Sequence, residues 1–162
     1  MQDGHVALFD RLRRLLPGPL PTDPLSRGAR ALDRGRFDEA EALFAQALGA
    51  AATPAEVAAA HNKRAILAVH RRDLARAIDE LVEALGAEPR SAAAITTLGN
   101  MLLESGEVDE AVAHYEFALL IDDGYAPAYH NLGVAMHRLG RRGEAVRNLR
   151  KATRLEARMK RF

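Results

Sequence analysis

A chain of 162 residues with no cysteine and a net charge of +1 can build one sizeable core, but not with disulfides or thiolate chemistry. No apolar run approaches the ~20 residues that a membrane span needs. The charges at Asp3, Asp10, Arg11, Arg13 and Arg14 interrupt the apolar core that a secretory signal would carry, so a cytoplasmic protein is the expectation.

Residues 4–16 read as a short amphipathic helix, with Leu8, Leu12 and Leu15 on one face. Pro17-Gly18-Pro19-Leu20-Pro21 ends it, because proline lacks an amide proton and disfavours helix before it. Residues 1–20 are therefore expected as a helix and Pro-rich linker, ahead of one main domain over 21–162. This first helix would either cover an apolar edge of that domain or dock a partner. Asp3 and Asp10 disfavour a membrane-surface role. Thr22-Asp23-Pro24 looks like a helix cap followed by an N1 proline. Helices are expected at about 25–34, 38–49, 55–70, 74–86, 91–104, 108–121, 126–139 and 142–160. Acidic residues open each second helix, namely Asp38-Glu39, Asp73, Asp109-Glu110 and Glu144, where they favour the helix dipole.

These helices repeat as pairs. Tyr129, Leu132, Gly133 and Met136 share one face, Gly140 breaks the run, and Ala145, Leu149 and Ala152 restart it. One copy earlier, Ile95, Leu98, Gly99 and Leu102 precede Gly106, and Ala111, Tyr115 and Ala118 follow it. Gly106 and Gly140 are 34 residues apart, as are Ala77 and Ala111. Ala40 precedes Ala77 by 37, which places an insertion near Ala50 to Pro54. Four copies are expected at about 21–54, 58–91, 92–125 and 126–159. A 34-residue period of helix pairs marks a helical solenoid, so the expected fold is all-α.

With its aromatic-x2-Leu-Gly-x2-aromatic and Ala-x3-aromatic pattern, the repeat resembles the tetratricopeptide repeat. The resemblance implies a right-handed α-solenoid of four helix hairpins after the short N-terminal helix. The second copy departs from the pattern, with Arg64-Ala65 in place of Leu-Gly. In this family the first helix of each pair lines a concave groove. Carried over copy by copy, the implied lining is Asn62, Ile66, Val69 and His70, then Thr96, Asn100, Leu103 and Glu104, then His130, Val134, His137 and Arg138. Asn62 and Asn100 would meet a peptide backbone, since an amide both donates and accepts. Some relatives clamp a C-terminal carboxylate with Asn, Lys and Arg, the first two at the places considered next. Thr97 and Pro127 stand at those places here, which disfavours that mode.

No phosphate loop, dinucleotide fingerprint, His-Glu-x-x-His or Gly-x-Ser-x-Gly motif is present, so neither catalysis nor a cofactor is expected. His130 and His137 are two turns apart, beyond the i, i+4 spacing that a helix offers a metal. The leading reading is a non-enzymatic adaptor for a protein or peptide partner. The alternatives are a self-associating scaffold, hence a homo-oligomer, and an accessory domain of an enzyme. The scaffold reading rests on charge: Arg141 to Phe162 holds nine basic and two acidic residues, against 14 basic and 20 acidic in the rest. Arg147, Arg150, Lys151, Arg154 and Arg158 are the expected docking surface. Scarce aromatics and near-neutral total charge disfavour nucleic acid as the partner.

Overall fold

In a computed structural model the described residues, 23–160, form eight helices and no strand. They are α1 (Pro24–Asp33), α2 (Phe37–Ala50), α3 (Pro54–His70), α4 (Leu74–Ala87), α5 (Ala92–Ser105), α6 (Val108–Ile121), α7 (Ala126–Arg138) and α8 (Arg142–Met159). Each lies within a residue or so of its expected bounds. The helix expected over 4–16 and its proline linker lie outside the described residues.

Local chemistry sets these ends. Asp23 accepts a hydrogen bond from the Ser26 amide at 2.8 Å, just ahead of Pro24. Thr53 and Glu56 form a reciprocal capping box on α3. Asp73 and Ser91 cap α4 and α5 through their side chains. Each contact satisfies an amide that the first helical turn leaves without an acceptor. Within each hairpin the chain turns through one residue of positive φ: Gly35 at 70°, Arg72 at 60°, Gly106 at 91° and Gly140 at 74°. Three are glycine, which meets no Cβ penalty there, while Arg72 bears that penalty.

The pairs α1–α2, α3–α4, α5–α6 and α7–α8 pack as hairpins. They approach closely because the first helix carries a small residue opposite a large one. A Cβ on Gly28 would lie 2.5 Å from Phe44 Cε1, one on Gly99 2.7 Å from Tyr115 Cε1, and one on Gly133 2.8 Å from Leu149 Cγ. In the second hairpin Ala65 shares a buried cluster with Leu81. Successive hairpins then bury one another. Leu43 and Phe44 pack in one cluster with Leu67, and Tyr115 and Val112 with Leu132 and Met136. Such nearest-neighbour burial is how a solenoid gains its stability. The first helices α1, α3, α5 and α7 also touch in succession. Among the described residues, no second helix touches the next second helix. The first helices therefore line the inner side of the curve and the second helices the outer side.

Candidate functional site

On that inner side, α3 and α5 enclose an open cavity of about 490 Å³. Ile66, Val69 and His70 of α3 form one wall, and Arg72 adds to it from the turn. Thr97, Asn100, Met101 and Glu104 of α5 form the other. Both walls climb in steps of three or four residues, which places their side chains on one helical face. Ile66, Val69 and Met101 supply apolar surface. His70 and Arg72 bring nitrogen donors, and Glu104 brings a carboxylate.

Asn100 is held in place. Its Oδ1 accepts from the Tyr115 hydroxyl at 2.9 Å and from Asn131 Nδ2 at 2.7 Å. With both acceptor lone pairs taken, the amide nitrogen is what remains to offer a ligand. Burial raises the Tyr115 hydroxyl to about 12, the nearby Glu104 carboxylate adding to the shift and Arg138 opposing it. The hydroxyl thus stays protonated and keeps donating. His70 is steadied from behind by Phe37 of α2, with ring centroids 6.0 Å apart.

Of the twelve expected lining residues, Ile66, Val69, His70, Asn100 and Glu104 meet around this cavity. Thr96 does not. Thr97 lines the cavity in its place, although both threonines are buried and each hydroxyl bonds the carbonyl four residues back, at 2.7 Å for Thr96 and 3.1 Å for Thr97. Leu103 is likewise a core residue, packed with Ala111, Val112 and Tyr115, and Met101 takes the groove position. Asn62 is 5% exposed, and its Oδ1 has no hydrogen-bond partner among the described residues. It does not line the cavity. The third set lies beyond the cavity. His130 and His137 are exposed, Val134 packs against the core, and Arg138 donates to the Leu103 carbonyl at 2.7 Å. That last bond ties α7 to the end of α5. Arg147, Arg150, Lys151, Arg154 and Arg158 are all exposed on α8, with Lys151 Nζ 5.6 Å from the centre of the Tyr129 ring.

An ion-pair network between the first two hairpins went unread in the sequence. Glu80 is 7% exposed, with His61 Nδ1 at 2.8 Å and Arg64 Nη2 at 3.0 Å. Glu41 of α2 meets Arg71 at 3.1 Å, Arg76 at 2.5 Å and Arg64 at 3.7 Å. The visible signal was Arg64, where the other copies carry Leu98 and Leu132. A half-buried arginine at an apolar position requires carboxylate partners.

Among the described residues no helix is long and apolar enough to cross a membrane. No curated protein matches the sequence. Family models described as "Tetratricopeptide repeat" match residues 25–92 and 126–158, and one described as "TPR repeat" matches 99–140. Among solved structures, the chain is similar to MamA, at 26% identity and a TM-score of 0.58 over 99% of this chain and 91% of that one. It is also similar to YrrB, described as a TPR protein with an unusual peptide-binding site, at 21% identity and a TM-score of 0.54 over 83% and 68%. A third is the second TPR of Spaghetti (RPAP3) bound to the HSP90 peptide SRMEEVD, at 22% identity and a TM-score of 0.54 over 60% and 85%. The paired helices, the glycine turns, the small-on-large hairpin contacts and these matches agree, and the chain belongs to the tetratricopeptide repeat family.

Proposed function

We propose that this protein is a non-enzymatic adaptor that holds an extended segment of a partner protein in the cavity between α3 and α5. The observation that carries this reading is the composition of that cavity: apolar surface beside one fixed amide donor, with opposite polarity on its two walls. Ile66, Val69 and Met101 would take apolar side chains. The Asn100 amide nitrogen would donate to a backbone carbonyl of the bound segment. His70 and Arg72 face acidic groups and Glu104 faces basic ones, which fixes the direction in which a segment lies. Two structural neighbours support the reading, one described by its peptide-binding site and one bound to a peptide. The rest of the inner face, including His130, Val134, His137 and Arg138, would extend the contact toward α7.

The test is a random peptide library selected on the folded protein, followed by fluorescence polarisation of the selected peptides. Met101→Glu puts a charge into the apolar surface and should weaken binding at least tenfold, which corresponds to about 1.4 kcal/mol. Glu104→Arg should shift the preference from basic to acidic residues at one end of the peptide. Leu103→Ala is not a useful variant, because Leu103 belongs to the core. Peptides that bind Met101→Glu as tightly as wild type would place the site elsewhere.

A further inference from the structure

The outer face carries a charge pattern that the groove does not use. From Glu107 to Tyr125 there are six acidic residues and no lysine or arginine. From Arg141 to Lys160 there are eight lysines and arginines against two glutamates. The repeat places the basic residues of α8 in register with one acidic and three apolar residues of α6. Ala113, Glu116, Phe117 and Leu120 of α6 fall 34 residues before Arg147, Arg150, Lys151 and Arg154 of α8, and all eight are exposed. Equivalent outward positions are thus acidic and apolar on one hairpin and basic on the next.

Neither face is satisfied within its own chain. Among the described residues, Glu107, Asp109, Glu110 and Glu116 form no ion pair, and neither do Arg147, Arg150, Arg154 and Arg158. The backbones of the two helices do not approach each other closely. They do lie on the same side of the molecule. Arg141, at the start of α8, has its pKa raised first by its bonds to Glu144 and further by the carboxylates of Glu116 and Asp109. Apolar surface accompanies the charge: Phe117 is 51% exposed and Leu120 81% on α6, and Val146 46% and Met159 74% on α8.

We propose that the third and fourth hairpins form a two-fold interface with a second copy of this chain, the acidic face of α6 in each copy seated on the basic face of α8 in the other. The aliphatic stems of Arg150 and Arg154 would cover Phe117 and Leu120 of the second copy, a guanidinium lying over the Phe117 ring. Their charged heads would reach Glu110 and Glu116. A second copy is the favoured occupant because it carries both complements at once. An unrelated acidic or basic partner would satisfy one face and leave the other open. Because the two faces sit side by side on one surface, a single two-fold operation satisfies both contacts and closes the assembly.

The experiment is a charge exchange read by sedimentation equilibrium. One variant makes α8 acidic with Arg147→Glu, Arg150→Glu and Arg154→Glu. The other makes α6 basic with Ala113→Arg, Glu116→Arg and Leu120→Arg. At tens of micromolar and low salt, wild type should sediment at twice its monomer mass and shift toward the monomer as salt is added. Each variant alone should be monomeric with unchanged helicity, because its two faces now carry like charge. An equimolar mixture of the two should return to the dimer mass. Wild type at monomer mass overturns the proposal without reference to any variant. So does a variant that stays dimeric alone, a mixture that stays monomeric, or a wild-type mass that keeps growing with concentration, which indicates an open chain. Binding of a groove peptide is not part of this readout, so failure of the dimer leaves the groove reading standing.

Discussion

Replacing Gly99 by alanine tests whether the hairpins are held by close backbone approach. A helix interior gains about 0.8–1 kcal/mol from Gly→Ala through reduced chain entropy. Against this stands the Tyr115 ring, with Cε1 2.7 Å and Cδ1 3.0 Å from the new Cβ. Tyr115 is fully buried, and its hydroxyl is tied to Asn100, so the ring has little freedom to retreat. Overpacking of this kind costs roughly 1–3 kcal/mol. The net effect should be a loss of up to about 2 kcal/mol, or a fall in melting temperature of up to about 8 °C for a chain of this size. Gly86 is the control: it is exposed near the end of α4, and a Cβ there meets nothing within 4 Å. Gly86→Ala should leave stability unchanged or raise it by up to ~1 kcal/mol. In a Tyr115→Leu background the penalty at Gly99 should shrink or change sign, which a double-mutant cycle by urea denaturation would show. A Gly99→Ala protein as stable as Gly86→Ala would refute the close-contact account of the fold.

Three further outcomes follow from particular residues. Arg72→Gly should stabilise by about 1 kcal/mol, because Arg72 holds the positive-φ turn position that the other hairpins give to glycine. An unchanged urea midpoint would show no strain there. Glu80→Ala should cost about 2–4 kcal/mol, since it leaves the partly buried Arg64 and His61 without their short carboxylate contacts; a loss under ~0.5 kcal/mol in urea denaturation would mean that the network contributes little. Tyr115 should make stability fall as pH rises between 10 and 12. Its pKa is raised by burial from 10.0 to about 12, so the unfolded chain loses the proton first, and the contribution is complete below pH 10. The stability gap between wild type and Tyr115→Phe should therefore narrow across that window in thermal melts, and a constant gap would count against a buried neutral hydroxyl.

The periodic parts of the fold were legible because they are local. Gly106, Gly140, Gly99 and Gly133 mark turns and close contacts at fixed spacing, and Ala77, Ala111 and Ala145 mark the facing helix. The groove was legible only in part. Thr96 and Thr97 are adjacent on a helix and project about 100° apart, so an error of one residue moves the inferred lining from the cavity to the core. Leu103 and Met101 are two residues apart and project to different sides of α5, so the packing of α5 against α6 and α7, invisible in one helix, decides which of them is core. Pairings between hairpins left weaker marks. Nothing near Arg64 in the chain announces Glu41 or Glu80, which become its partners only once α2, α3 and α4 are packed together. The strained turn at Arg72 was hidden because the other copies signal that position with glycine.

The central claim is that the cavity between α3 and α5 receives the partner. Chemical-shift mapping by NMR with a library-selected peptide tests it most directly. The account predicts that the largest amide shifts fall on residues 66–72 and 97–104, with the Asn100 side-chain amide among them. Shifts confined to the outer helices α4, α6 and α8 would contradict it.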